Sequence, residues 1–163
     1  MILKTTDICD ENPDKVKIAE PSGFKDFGKR KIFSGKIHTI KCFENNPFVR
    51  RALENDGTGK VLVVDGGGSL KVALLGDMLA GIGVNNKWNG VIINGCVRDS
   101  SELSKLEIGV KALNTMPLKS GKKDEGEENV TVSFAGIDFI PGEFAYCDED
   151  GIIVSSENFT DKN

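Results

Sequence analysis

The chain reads as a single α/β domain spanning residues 1–163, and three observations carry that reading. Helical and strand-like segments alternate early and give way to strands late, the pattern of a mixed β/α domain. Nineteen glycines cluster in the middle and at turns, which points to short elements joined by tight connections and not to a helix bundle. Hydrophobic residues make up 39%, enough for one core, while the length leaves little room for a second domain.

Taken in order, Thr6 opens a short capped helix that Pro13 ends, and residues 21–31 form a polar, glycine-containing loop. IFSGKIHTIKCF at 32–43 alternates as a strand, with a bend at Gly35. Ile37, Thr39, Lys41 and Phe43 share one face; His38, Ile40 and Cys42 share the other. Pro47 starts a helix carrying Phe48, Val49, Ala52 and Leu53 at helical spacing, and Gly57 stops it. Val61 to Val64 is a β-branched apolar run, the mark of a strand buried on both faces. Val72 to Leu75 is a second short run ending at Gly76, followed by a helix with Met78, Leu79, Ile82 and Val84 turned inward. VIING forms another buried strand, after which Ser100 or Ser101 caps a short helix through Leu106. IGVKALNTMPL is a strand, residues 119–129 a charged surface loop, and VTVSFAGIDFIPG a hairpin turning at Ala135-Gly136. FAYCDEDGIIVSS adds strands around a turn at Asp150-Gly151, and the tail ENFTDKN reads as frayed.

A net charge of −4 and a pI near 5.1 argue against direct binding to nucleic acid. No run approaches a membrane span or a signal peptide, so the expectation is a cytoplasmic protein without a membrane partner. Cys9, Cys42, Cys96 and Cys147 contain no C-x-x-C pair and read as free thiols; the N-x-T triplets at Asn129 and Asn158 read as chance.

Two nucleotide-like strings fail on inspection. GTGK at 57–60 is followed by Val61 and preceded by Glu54 where a phosphate loop needs glycine, and DGGGSL lacks G-x-G-x-x-G, so a tight turn is the simpler reading. His38, the single histidine, reads as a sheet residue before it reads as a ligand or base. The informative pair is GDMLA at 76–80 and NGCVRD at 94–99, each at the carboxyl end of an apolar strand. Asp77 stands at a helix start, where it is either an ordinary cap or part of an anion-receiving terminus built on the N–H groups of Met78 and Leu79. Arg98 and Asp99 are either a surface ion pair or a fork for a carboxylate beside a hard oxygen ligand for a magnesium-like ion.

The strings VLVVDGGGS, GDMLA and NGCVRD, with Asp77, twenty intervening residues and then Arg98-Asp99, resemble the ribonuclease E activity regulator A-like family. That family includes class II pyruvate aldolases acting on 4-hydroxy-4-methyl-2-oxoglutarate. The resemblance runs from TTDICD through KCFE and IGVKA to YCDEDGIIVS, nearly the whole chain. It implies a swivelling β/β/α domain with a mixed central sheet, assembled as a homotrimer with sites at subunit boundaries. It also implies that Gly76, Asp77, Met78 and Leu79 hold a small 2-oxo acid through backbone amides, with Arg98 on its carboxylate or keto oxygen. Asp77 and Arg98 would be catalytic, Asp77 orienting a water, and Asp99 would anchor Mg²⁺ or Mn²⁺. The implied reaction is cleavage to two pyruvates, with oxaloacetate decarboxylation as a side activity, through an enolate that needs no lysine Schiff base. The family's aldolases carry a longer C-terminal portion with an acid that reaches a neighbour's metal. The length here matches the short branch named for binding and inhibiting ribonuclease E, so a protein-binding regulator is the alternative expectation.

Overall fold

The computed structural model describes residues 3–161. In chain order its elements are α1 (Thr5–Glu11), β1 (Lys17–Ile18), β2 (Lys25–Asp26), β3 (Phe33–Lys41), α2 (Pro47–Leu53) and β4 (Lys60–Asp65). There follow β5 (Ala73–Leu75), α3 (Asp77–Asn85), β6 (Gly90–Val97), α4 (Ser100–Leu103), β7 (Gly109–Thr115) and β8 (Glu127–Glu128). Last come β9 (Val132–Phe134), β10 (Ile137–Phe139), β11 (Phe144–Asp148), β12 (Gly151–Ser155) and a 3₁₀ turn at Phe159–Asp161.

The fold is α/β with a large mixed sheet in the order β1-β12-β11-β3-β4-β6-β7-β2, with β5 also on β6 and β8 also on β3. Strands β3, β4, β6 and β7 run parallel in the centre, and the outer pairs are antiparallel. Side chains of β4 show why the centre reads as unbroken apolar sequence. Leu62 and Val64 enter a core beneath the helices, while Val61 and Val63 enter a second core shared with the β9–β10 hairpin, β11 and β12. All four are fully buried, each contributing about 1.5–3 kcal/mol by removal from water. The domain is thus layered as helices, central sheet and hairpin.

Phe33 spans the sheet at the paired glycines Gly90 and Gly109. A Cβ at those positions would lie 2.2 and 2.0 Å from its ring, so only glycine lets the ring lie across both strands. The two-residue turn at Ala135-Gly136 takes positive φ at both positions (52° and 74°), as a tight hairpin with this twist requires.

Several boundaries differ from the sequence expectations. Helix α1 begins at Thr5 and has no side-chain cap. The Thr5 backbone N–H and Oγ1 instead donate to the Asp148 carboxylate at 2.8 and 2.7 Å, docking the helix on the β11 end. Lys111 is buried beside it, with Nζ donating to the Asp148 carbonyl at 2.6 Å and lying 3.2 Å from Asp26 Oδ1. The final turn is Glu149-Asp150, because Gly151 already pairs with Asp148. Within the charged 119–129 segment, β8 adds to β3. Phe159 in the tail is 6% exposed and packs on Tyr146, so the described part of the tail is docked and not frayed; residues 162–163 lie outside the described residues. Among the described residues no helix is long and apolar enough to cross a membrane.

Candidate active site

Strands β5 and β6 are parallel neighbours with Leu75 opposite Val97, so they deliver GDMLA and VRDSS to the same sheet edge. The Arg98 N–H donates to the Leu75 carbonyl at 2.9 Å, and the Asp77 N–H donates to Asp99 Oδ2 at 3.1 Å. Positions separated by twenty residues in sequence therefore share one cluster. Asp99 adopts φ 59°, ψ 42°, a left-handed conformation that Asp tolerates better than most residues but which still costs about 1–3 kcal/mol. That turn aims its carboxylate at α3 and not at its own helix. Accordingly α4 has no side-chain cap from Asp99, Ser100 or Ser101, and it ends at Leu103 instead of Leu106.

Gly76 is the N-cap of α3, and Asp77 is the first helical residue and not the cap. The first intrahelical bond runs from the Ala80 N–H to the Gly76 carbonyl at 3.0 Å. The Met78 and Leu79 N–H groups precede that bond and have no partner inside the helix, leaving two donors at its positive end. A Cβ on Gly76 would stand 2.5 Å from Asp99 Oδ2 and 3.2 Å from Arg98 Cγ, so this position admits nothing larger than glycine without moving the acid. Met78 departs from the inward orientation expected of it and is 71% exposed. Leu79, Ala80 and Gly83 form the buried stripe of this short helix, which turns Met78 outward, with Ile82 and Val84 half-buried.

These residues form one wall of a cleft of about 410 Å³. The opposite wall comes from residues that no sequence motif marks: Asn46, the N-cap of α2, Arg50 in its last turn, and Lys119, Ser120 and Lys122. The Ala73 N–H donates to the Leu118 carbonyl at 2.8 Å and the Gly121 N–H to the Glu44 carbonyl at 2.9 Å, strapping this segment across the sheet edge. Its charged, glycine-containing sequence differs in no visible way from that of a free loop. Two larger clefts lie elsewhere, of about 820 and 570 Å³. Their linings hold more acids than bases, including Asp14, Asp138, Glu143 and Glu157 in one and Asp10, Glu20, Glu149 and Asp150 in the other.

Among the described residues no group of three His, Cys, Asp or Glu side chains forms a metal cluster. Asp77 and Asp99 are the two carboxylates lining the cleft. Two hard oxygen donors fit a magnesium-like ion that keeps most of its waters, and do not fit a closed zinc site. His38 lies outside this lining and its Nε2 is 2.7 Å from Glu128 Oε1, as a sheet histidine. The thiols offer no nucleophile: burial, with the Asp65 charge, pushes Cys42 up to about 12, and burial pushes Cys147 up as well. In the glycine loop, a Cβ at Gly66 would meet Leu74 at 2.5 Å and one at Gly67 would meet Phe43 at 2.9 Å, so its openness is used for packing.

Known proteins resemble this chain along nearly its whole length. Residues 5–154 match the family model described as RraA-like: Aldolase/RraA. A relative from Aromatoleum aromaticum is 52% identical over 97% of this chain and 99% of its own length. Another from Alkalilimnicola ehrlichii is 54% identical over 95% and 96%. Both carry the provisional name 4-hydroxy-4-methyl-2-oxoglutarate aldolase. Among solved structures, the RNA-processing inhibitor RraA from Thermus thermophilis superposes with a TM-score of 0.92 at 43% identity, covering 96% of this chain and 94% of that one. A Geobacillus kaustophilus structure described as an S-adenosylmethionine:2-dimethylmenaquinone methyltransferase gives 0.95 at 45% identity, covering 99% of each.

Proposed function

This chain belongs to the Aldolase/RraA family, and on that premise we propose that it is a divalent-metal-dependent aldolase cleaving 4-hydroxy-4-methyl-2-oxoglutarate to two pyruvates, with oxaloacetate decarboxylation as a side activity. The observation that carries the reading is the convergence of the Asp99 carboxylate, Arg98 and the free N-terminal amides of α3 on one cleft. A relative of matching length carries the aldolase name, so a short chain does not by itself argue for a regulator.

In this mechanism the Met78 and Leu79 N–H groups receive the C1 carboxylate of the 2-oxo acid at the positive end of α3. Arg98 presents its planar fork to the same carboxylate and to the keto oxygen, where negative charge develops. Asp99, with water, would hold Mg²⁺ or Mn²⁺, which supplies Lewis-acid polarisation of the keto group. Asp77 orients a water that takes the proton from the 4-hydroxyl group. The C3–C4 bond then breaks, its electron pair passing to the keto oxygen of one half while the other half leaves as pyruvate. Protonation of the resulting enolate at C3 gives the second pyruvate. Decarboxylation of oxaloacetate reaches the same enolate by loss of CO₂. The family resemblance further supports a cytoplasmic homotrimer in which a neighbouring subunit closes the cleft.

The decisive test is pyruvate release from oxaloacetate with Mg²⁺ or Mn²⁺, read through a coupled dehydrogenase. The wild type should exceed the metal-only rate and Asp99→Ala should return to it; equal rates for all three would end the enzyme reading. The name of the Thermus neighbour favours one second reading, an inhibitor that binds a ribonuclease E-type nuclease. The net charge of −4 suits a basic partner segment, and salt-sensitive co-purification with such a nuclease is the result that reading requires.

A further inference from the structure

The geometry points to a second carboxylate subsite on the opposite wall, built from Lys119, Ser120 and Lys122 with Arg50, which makes the cleft selective for 2-oxo dicarboxylates over 2-oxo monocarboxylates. This assignment rests on the proposed 2-oxo acid reading and adds the distal end of the ligand to it.

Charge is the first argument. In a protein of net charge −4, this cleft is lined by four cations, Arg50, Arg98, Lys119 and Lys122, against two carboxylates, Asp77 and Asp99. The two larger clefts have the opposite balance. One ligand carboxylate at α3 and Arg98 leaves the cations of the far wall unmatched.

The pairing of those cations is the second argument. Lys123 on the same strap is taken by Glu125 at 3.1 Å, and Arg51 beside Arg50 is taken by Asp124 at 2.7 Å. Lys119 and Lys122 have no ion pair among the described residues, and Arg50 has only a loose contact with Glu54 at 3.8 Å. Of the strap lysines Lys119, Lys122 and Lys123, the two that line the cleft are the two without an ion pair among the described residues.

The third argument is Ser120. It is 3% exposed, lines the cleft, and its Oγ has no hydrogen-bond partner. A buried hydroxyl without a partner is costly, and such groups in native structures call for a ligand or water oxygen. A carboxylate held by the two lysines supplies that acceptor.

The test is calorimetric binding to the full chain saturated with Mg²⁺, comparing 2-oxoglutarate with 2-oxobutanoate. The first carries the distal carboxylate and lacks the 4-hydroxyl needed for cleavage; the second lacks that carboxylate. Wild type should prefer 2-oxoglutarate. The double variant Lys119→Gln/Lys122→Gln should bind it about tenfold more weakly while holding 2-oxobutanoate within about twofold, as expected for lost charge-assisted bonds. Ser120→Ala should weaken 2-oxoglutarate alone and to a lesser degree. Equal losses for both ligands, no loss for either, or a wild type that does not distinguish them would overturn the subsite. A preserved preference in a protein that releases no pyruvate would support the subsite and count against the catalytic reading alone.

Discussion

Gly76→Ala is the most diagnostic single change, because it adds one carbon where the structure has no room for it. The new Cβ would sit 2.5 Å from Asp99 Oδ2, against an unstrained separation of about 3.5 Å, so the carboxylate must retreat by about 1 Å. Retreat breaks the 3.1 Å bond from the Asp77 N–H and displaces Arg98, whose Cγ would lie 3.2 Å from the added carbon. The backbone itself does not object. Gly76 has φ −131° and ψ −165°, extended values open to alanine. Loss of a glycine N-cap costs up to about 1 kcal/mol, a melting shift of about 2–4 °C for a chain of this size. A displacement of about 1 Å among reacting groups costs about 10²-fold in rate. The expected result is thus a folded protein, near wild type by thermal unfolding, with kcat/KM for metal-dependent pyruvate release down about 10²-fold. Gly81→Ala is the internal control: its Cβ meets nothing within 4 Å, and an alanine inside α3 should leave activity intact and raise stability by about 0.4–1 kcal/mol. Wild-type kcat/KM in Gly76→Ala would refute the claim that this cluster is the reacting centre.

Asp99→Asn keeps a residue suited to the left-handed turn but removes the charge, so the metal-dependent rate should fall to background while the melting temperature changes little. Met78→Ser should stay within about 0.5 kcal/mol of wild-type stability, because a side chain 71% exposed packs little; a larger loss would show that the α3 surface is covered. Burial tends to raise the Asp148 carboxyl, but hydrogen bonds from Thr5, Asp150 and Gly151 outweigh it and hold the group below its ordinary value. A depressed folded value stabilises above the unfolded pKa and is lost as pH falls through the folded one. Thr5→Ala should therefore cost about 1.5 kcal/mol near neutrality and move acid unfolding to higher pH, measurable by circular dichroism during titration. Cys42, raised to about 12 by burial and Asp65, should not react with thiol reagents at pH 8 until the chain is unfolded; rapid native labelling would contradict the packed core around it.

The legible parts of this protein are those in which local pattern and tertiary environment agree. The apolar runs at Val61–Val64 and Val91–Ile93 are buried on both faces, so their sequence carries no alternation, and the structure places both in the parallel centre. Helix α2 keeps its expected start at Pro47 because proline at that position costs the helix no bond. The expectations that failed did so where a distant group took over a local role. The helix expected to open at a Thr6 cap instead starts at Thr5, which is held by Asp148 from across the fold, and Ser100 does not cap because the left-handed turn at Asp99 precedes it. Apolarity turns Met78 inward on the sequence reading, although the core stripe of α3 runs through Leu79, Ala80 and Gly83. At the site, strand ends and charge draw attention to Asp77, Arg98 and Asp99 but leave an ordinary cap and a surface ion pair open; the structure brings the three residues to one cleft. Nothing in the sequence showed that residues 118–121 fold back along β5, because their backbone partners, Ala73 and Glu44, are far away in the chain.

Asp99 shows why the two motifs depend on each other. A carboxylate in a left-handed turn is strained, and strain persists only where the surroundings fix it. Here the fixing bond comes from the Asp77 N–H, the first orphan donor of a helix in the other motif, through the gap that Gly76 leaves open. One oxygen of Asp99 is thereby committed to the fold, while Oδ1 has no hydrogen-bond partner among the described residues, on an exposed residue that lines the cleft. A cation at Oδ1 would need no rearrangement of the acid, and the same helix end that steadies the carboxylate through Asp77 still offers the Met78 and Leu79 amides to an anion. On the proposed reading, holding an ion and holding a 2-oxo acid would be two uses of a single helix terminus. This accounts for glycine at position 76 and an acid at position 99 more simply than a surface ion pair would.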